Sequence, residues 1–136
     1  MIEVDNYNFK EIEKKFSDKW SEEKAFKAID FHPTKPKYYV LYEFYNISGN
    51  LHMGHLKGTV PADALARYKR FCGYNVLFPI GGDAFGLPAE NAAIKTGINP
   101  HEFVKNGMNT VLSQSKRLGL SFDWDRTICT SDKEYY

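Results

Sequence analysis

The stretch Tyr38 to His55, YYVLYEFYNISGNLHMGH, limits most sharply what this chain can fold into. Tyr38 to Tyr42 is an unbroken aromatic and β-branched run, which predicts a buried strand of a parallel sheet. Asn46, Ser48, Gly49 and Asn50 are turn formers, so the strand is expected to open into a loop. The loop ends at Leu51-His52-Met53-Gly54-His55, where helical spacing begins. At such a helix start the first N–H groups are unpaired and the macrodipole is positive, an arrangement suited to an anion. His52 and His55 are three residues apart and so share one side of the helix. Gly54 between them has no side chain and lets a flat ring approach the backbone. Together these features suit a nucleoside triphosphate at the carboxyl end of a strand, where open α/β sheets bind ligands.

The rest of the chain supplies what such a sheet needs. Asn8, with Glu11 three residues on, reads as the cap of an amphipathic helix carrying Phe9, Ile12, Phe16 and Trp20 on one face, with Phe26 and Ile29 continuing its packing. Glu11, Glu13, Lys14, Lys15 and Asp18 form its solvated face, and Pro33 and Pro36 set an extended lead-in to the strand. After the histidines, Val60, Ala64, Leu65, Tyr68 and Phe71 predict the apolar face of a helix ended by Gly73, with a kink or restart at Pro61. Arg67, Lys69 and Arg70 read as its solvated side, with contact to RNA as the sharper alternative. Tyr74 to Ile80 predicts a second buried strand, completing a right-handed β-α-β unit over residues 38–80. Gly81 and Gly82 are expected to turn abruptly and carry Asp83 over the strand end. A short helix follows over Ala89 to Lys95, stopped by Gly97. A longer one is capped at Asn99, with Val104, Met108, Val111, Leu112 and Leu118 as its apolar face.

Composition excludes several classes. A chain of 136 residues with 43% hydrophobic content has enough apolar surface for one packed core. No run approaches the roughly 18 to 20 apolar residues that cross a bilayer, and MIEVDNYNFK lacks the pattern of a signal peptide, so a cytoplasmic protein is expected. A net charge of +1 does not mark a surface that wraps nucleic acid by charge. Cys72 and Cys129 have no ligand spacing and read as reduced thiols, so no metal site is expected.

Two motifs resemble a known family. His52-Met53-Gly54-His55 is similar to the HIGH signature of class I aminoacyl-tRNA synthetases. Gly82-Asp83-Ala84-Phe85-Gly86-Leu87-Pro88-Ala89-Glu90 resembles the block that marks the leucyl enzymes. Isoleucine, valine and methionine enzymes share a Gly-x-Asp there but continue differently. The resemblance runs from about Tyr7 to the end, including Ser121 to Arg126 and Ser131 to Tyr136. It implies an α/β fold, the first half of a class I Rossmann-type parallel sheet over residues 37–136, preceded by an amphipathic helix and lead-in over residues 1–36.

The resemblance also implies a reaction. Leucine, or a similar amino acid, would be activated by ATP with Mg²⁺ to an aminoacyl-adenylate and transferred to tRNA. His52 and His55 would be catalytic, bonding the phosphates of ATP, with Gly54 beside the adenine. Asp83 would hold the substrate ammonium, aided by the backbone carbonyl of Phe44, and Asn46 would stand beside the side-chain pocket. Here the chain departs from the family: the usual Pro-Tyr-Pro before Ser-Gly is Tyr45-Asn46-Ile47, a more polar wall. The Lys-Met-Ser-Lys-Ser signature of the second half is absent, so the remainder of a synthetase chain is an expected partner and the isolated chain is expected to catalyse little. Two other readings share the HxGH motif: a small nucleotidyltransferase, and a truncated, non-catalytic paralogue that binds nucleotide or amino acid.

Overall fold

The computed structural model describes residues 7–135. Most of the stretch read for a signal peptide, and the final Tyr136 of the family-like tail, lie outside them. Helix α1 spans Phe9–Glu22, and the Asn8 side chain accepts from the Glu11 N–H as its spacing predicts. Strands β1, Lys37–Tyr39, and β2, Tyr45–Asn46, precede helix α2, Met53–Phe71. Strands β3, Asn75–Leu77, and β4, Gly81–Asp83, precede helices α3, Leu87–Thr96, and α4, Pro100–Arg117. A 3₁₀ turn, Trp124–Arg126, leads into β5, Ile128–Cys129.

All strand pairs are parallel. β1 pairs with β3, Tyr38 opposite Val76, and farther along β2 pairs with β4, Asn46 opposite Asp83. β5 lies on the other side of β4, with Gly82 opposite Cys129. Isolated bonds bridge the interruptions, among them Asp123 N–H to Phe78 O at 2.7 Å and Ile128 N–H to Ile80 O at 3.0 Å. Three parallel passes separated by helices are the α/β arrangement that the alternating buried runs and helical spacing predict. Val40, Tyr45, Ile47, Val76, Phe78, Ile80 and Phe122 from these passes form the core with Val104, Met108 and Val111 of α4.

The strands are shorter and less symmetric than the apolar runs suggest. Within Tyr38 to Tyr42, Val40 is buried while Tyr39 and Leu41 are exposed, so the first pass alternates between a covered and an open face. Asn46 is not a turn residue; it carries the ladder. Nor do Gly81 and Gly82 turn. They continue as strand because their neighbours press on the backbone: a Cβ on Gly81 would meet the Phe44 ring, and one on Gly82 would come 2.8 Å from Met108 Sδ. Glycine here serves close packing rather than unusual dihedrals.

Helix α2 also differs from expectation. It does not restart at Pro61 but continues as one helix to Phe71, and the turn before the proline is tied down: Tyr42 Oη and Thr59 Oγ1 both donate to His55 O, at 3.1 and 2.9 Å. Its apolar stripe faces outward, with Val60, Leu65, Tyr68 and Phe71 exposed. The buried residues are Thr59, Asp63 and Ala66. A helical period identifies a stripe, whereas the inner face of α2 is set by a polar network that periodicity does not detect. Asp63 Oδ1 accepts from both the N–H and the Oγ of Ser121, each at 2.6 Å, and its Oδ2 accepts from Arg67 Nε at 2.7 Å. Arg67 also donates to Gly119 O, and Arg70 to Ser121 Oγ and O at 2.8 and 2.9 Å. Lys69 stands over the rings of Tyr38 and Tyr74. These three cations do not form a free solvated face, because each is engaged within the chain.

The helix ends follow their signals. Gly73 and Gly97 take positive φ just past α2 and α3, and Asn99 caps α4 by accepting from His101 N–H at 3.0 Å. α1 is the exception in packing. None of its residues is buried, and Trp20 packs against Phe26 and Arg67. An open groove of about 800 Å³ lies between it and the end of α4, and Ile29 and Leu118 are exposed.

Candidate active site

The three parallel passes finish at one end of the sheet, at Asn46, Asp83 and Thr130. Asn46 and Asp83 are in register, Ile47 N–H donates to Asp83 O at 3.4 Å, and Thr130 N–H donates to Gly82 O at 3.0 Å. A short loop from Asn46 leads to the start of α2, held in place by Leu51 N–H donating to Gln114 Oε1 at 2.9 Å. The helix start bearing the histidines therefore follows from the same end of the sheet that carries Asp83.

His52 is the N-cap of α2 and makes an unusual capping box with His55. Its Nδ1 accepts from Gly54 N–H at 3.1 Å, and His55 Nδ1 accepts from His52 N–H at 3.2 Å. The two rings stack with centroids 3.8 Å apart. An accepting Nδ1 carries a lone pair, so the proton of each neutral ring resides on Nε2. The capping arrangement thus fixes one tautomer in both side chains and leaves two Nε2–H donors for an external acceptor. Burial pushes the His55 pKa below its ordinary value and the neighbouring His52 adds to this, while Glu43 opposes it. Gly54 is required by the cap itself: a Cβ there would come 2.9 Å from His52 Cε1.

A second layer supports His55 from below. The Tyr45 hydroxyl and Thr59 Oγ1 are 2.6 Å apart, and because Thr59 donates its proton to His55 O, Tyr45 is the donor between them. The Tyr45 ring meets the His55 imidazole edge-on at 5.3 Å, and burial pushes the Tyr45 pKa up to about 12, so it remains a neutral donor. Sequence reasoning missed this pair, since nothing in a lone Tyr or Thr marks a contact fourteen residues apart.

Of the residues singled out from sequence, His52 and His55 are in direct contact, and Asn46 and Asp83 are opposite each other. The Phe44 ring lies against Gly81, one strand position before Gly82 and Asp83. Asn46 is exposed, as are His52 and Gly54, so this end of the sheet is an open surface. Among the described residues, no group of three or more His, Cys, Asp or Glu side chains is placed to hold a metal ion.

Three parallel passes, a stacked histidine pair at the start of α2 and an in-register aspartate accord with the α/β core of a class I synthetase. Residues 38–135 match the family model for class I tRNA synthetases (M), and the chain belongs to that family. Within it, similarity is to leucine enzymes. The chain is 54% identical to the leucine–tRNA ligase of Thermotoga petrophila over 130 residues, 96% of this chain and 16% of that protein. It is 48% identical to that of Clavibacter michiganensis subsp. michiganensis over 132 residues, 97% of this chain and 16% of that protein. The chain therefore spans about one sixth of the length of these relatives. Among solved structures, it resembles the ternary LeuRS–tRNA–LeuAMS complex of Agrobacterium radiobacter K84 agnB2, with a TM-score of 0.90, 35% identity, and coverage of 96% of this chain and 17% of that one. It also resembles Mycobacterium tuberculosis methionyl-tRNA synthetase in complex with methionyl-adenylate, with a TM-score of 0.68, 30% identity, and coverage of 73% and 19%.

Proposed function

We propose that this chain is the first half of the catalytic domain of a leucine-type aminoacyl-tRNA synthetase. In this reading residues 37–136 form the half-domain and residues 1–36 its lead-in, working with the remainder of a synthetase chain. It binds ATP and leucine for adenylate formation, and tRNA receives the amino acid. The observation that carries the reading is the pair of stacked imidazoles whose Nδ1 atoms are occupied, so that both Nε2–H groups are available as donors at the strand ends.

The amino-acid carboxylate is ionised at neutral pH and needs no base to attack the α-phosphorus. What the reaction requires is stabilisation of phosphate charge as pyrophosphate leaves. His52 and His55 donate to the phosphate oxygens, and their fixed tautomer removes the cost of choosing one during reaction. Mg²⁺ would accompany the triphosphate, whose phosphate oxygens it prefers as ligands together with water. Asp83 holds the ammonium of the substrate, Phe44 O assists, and Asn46 stands beside the side chain. The exposed, unpaired Cys72 thiol accords with a reducing cytoplasm.

The test is amino-acid-dependent pyrophosphate exchange in the complete protein. His52→Ala and His55→Ala should each lower the rate by about 10² to 10³, the usual loss for one transition-state donor. Wild-type rates in both variants would reduce the pair to a helix cap.

A further inference from the structure

We infer that Thr130 is a positioning residue for the substrate ammonium, acting by fixing the carboxylate of Asp83; the inference rests on the assignment of Asp83 just given. The hydroxyl of a threonine has one proton to give, and here the surroundings decide where it goes. Thr130 Oγ1 accepts from Ala84 N–H at 2.8 Å, which directs a lone pair toward the backbone beyond β4. Asp83 Oδ1 lies 3.3 Å from the same oxygen and is an acceptor only, so the hydroxyl proton points to it.

Thr130 is itself held. Its N–H donates to Gly82 O at 3.0 Å, continuing the β4–β5 ladder one residue past Cys129. The Thr130 backbone is thus in register with the strand whose carboxylate it touches, and its side chain closes a short ring through Asp83 and Ala84. One carboxylate oxygen, Oδ1, is thereby engaged, which restricts the side chain. The other, Oδ2, is left to meet the ammonium. Without the hydroxyl, the half-buried Asp83 samples more rotamers, and binding the amino acid must select one.

The role predicts an effect on one substrate only. In the complete protein, Thr130→Val retains the β-branched shape and removes both hydrogen bonds, and should raise KM for the amino acid about tenfold, in line with a hydrogen bond to a charged group. KM for ATP should stay within about twofold. Thr130→Ser keeps the hydroxyl and should restore the wild-type amino-acid KM. Asp83→Ala is measured in parallel. If Asp83→Ala leaves the amino-acid KM unchanged, the assignment of Asp83 fails and this inference with it. If Asp83→Ala raises that KM and Thr130→Val does not, or if Thr130→Val raises both KM values equally, the positioning role alone is overturned. A parallel melt of Thr130→Val keeps loss of fold separate: an equal rise in both KM values accompanied by a lowered melting temperature assigns Thr130 to the strand end and also refutes the inference.

Discussion

Replacing Asp63 by Ala should destabilise the chain markedly. Asp63 is 8% exposed and holds three donors: Ser121 N–H and Oγ at 2.6 Å, and Arg67 Nε at 2.7 Å. Ser121 is fully buried, so its N–H would lose its acceptor with no water to replace it, a cost of about 1–3 kcal/mol. The Ser121 hydroxyl can turn elsewhere, and the Arg67 side chain is 38% exposed, so solvent screens its lost ion pair to about 1 kcal/mol or less. The sum is about 1–4 kcal/mol, its upper end within the range that removal of one partner of a buried pair commonly costs. With a urea slope of about 2 kcal/mol/M, the midpoint should fall by about 0.5–2 M. Trp20, tilted against Phe26 beside Arg67, and Trp124, packed on Phe122, report the transition by fluorescence. Asp63→Asn keeps one carbonyl acceptor for Ser121 and should fall between Ala and wild type. The surface pair Lys14–Asp18, similarly short at 2.6 Å but 77% and 54% exposed, is the control, and Asp18→Ala should leave the midpoint unmoved. An Asp63→Ala midpoint equal to that of Asp18→Ala would refute the claim that this network holds α2 to the third pass.

Two further outcomes concern the histidine pair and the strand end. Burial lowers the His55 pKa, so the folded state binds its proton less readily than the unfolded state, whose histidine titrates near 6.5. The cap's contribution is therefore fully present above about pH 6.5 and is lost as pH falls through the lower folded value; an NMR titration of His55 with a midpoint at or above 6.5 would contradict this. Asn46 is exposed and opposite Asp83, so Asn46→Tyr, which restores the family's residue, should improve activation of leucine over valine and isoleucine in the complete protein; an unaltered ratio would place Asn46 outside the pocket.

How much of this was legible in the sequence depends on whether a neighbour or a period made the feature. Caps were legible: Asn8, Asn99, Gly73 and Gly97 act within one helical turn, and each stands where its residue type predicts. The parallel passes were legible as apolar runs, but their division into short ladders was not, since Tyr39 and Leu41 have the same composition as the buried Val40 and differ only in which face is covered. Long-range polar partners were hidden altogether. Asp63 and Arg67 show an i, i+4 spacing that signals a pair, yet nothing local says that Ser121 and Gly119 complete the network. The third pass was read only as family-like tail, because two residues of strand carry too few alternations to stand out.

The departure at Tyr45-Asn46-Ile47 resolves once its period is read on the structure. In an extended segment successive side chains face opposite sides, so the three substitutions divide between two environments. Tyr45 and Ile47 face inward and are 2% and 0% exposed. Tyr45 spends its bulk beneath His55 and its hydroxyl on Thr59; Ile47 fills the space left by the missing side chains of Gly82 and Gly107. Neither position requires proline's fixed φ, because the Tyr45–Gly82 and Asn46–Asp83 pairing holds the backbone extended without it. Only Asn46 is exposed. The change that looks like a loss of motif in sequence is therefore two replacements within the core packing, one of them beneath His55, and one at the surface, and in the proposed reading only the last bears on which amino acid is chosen.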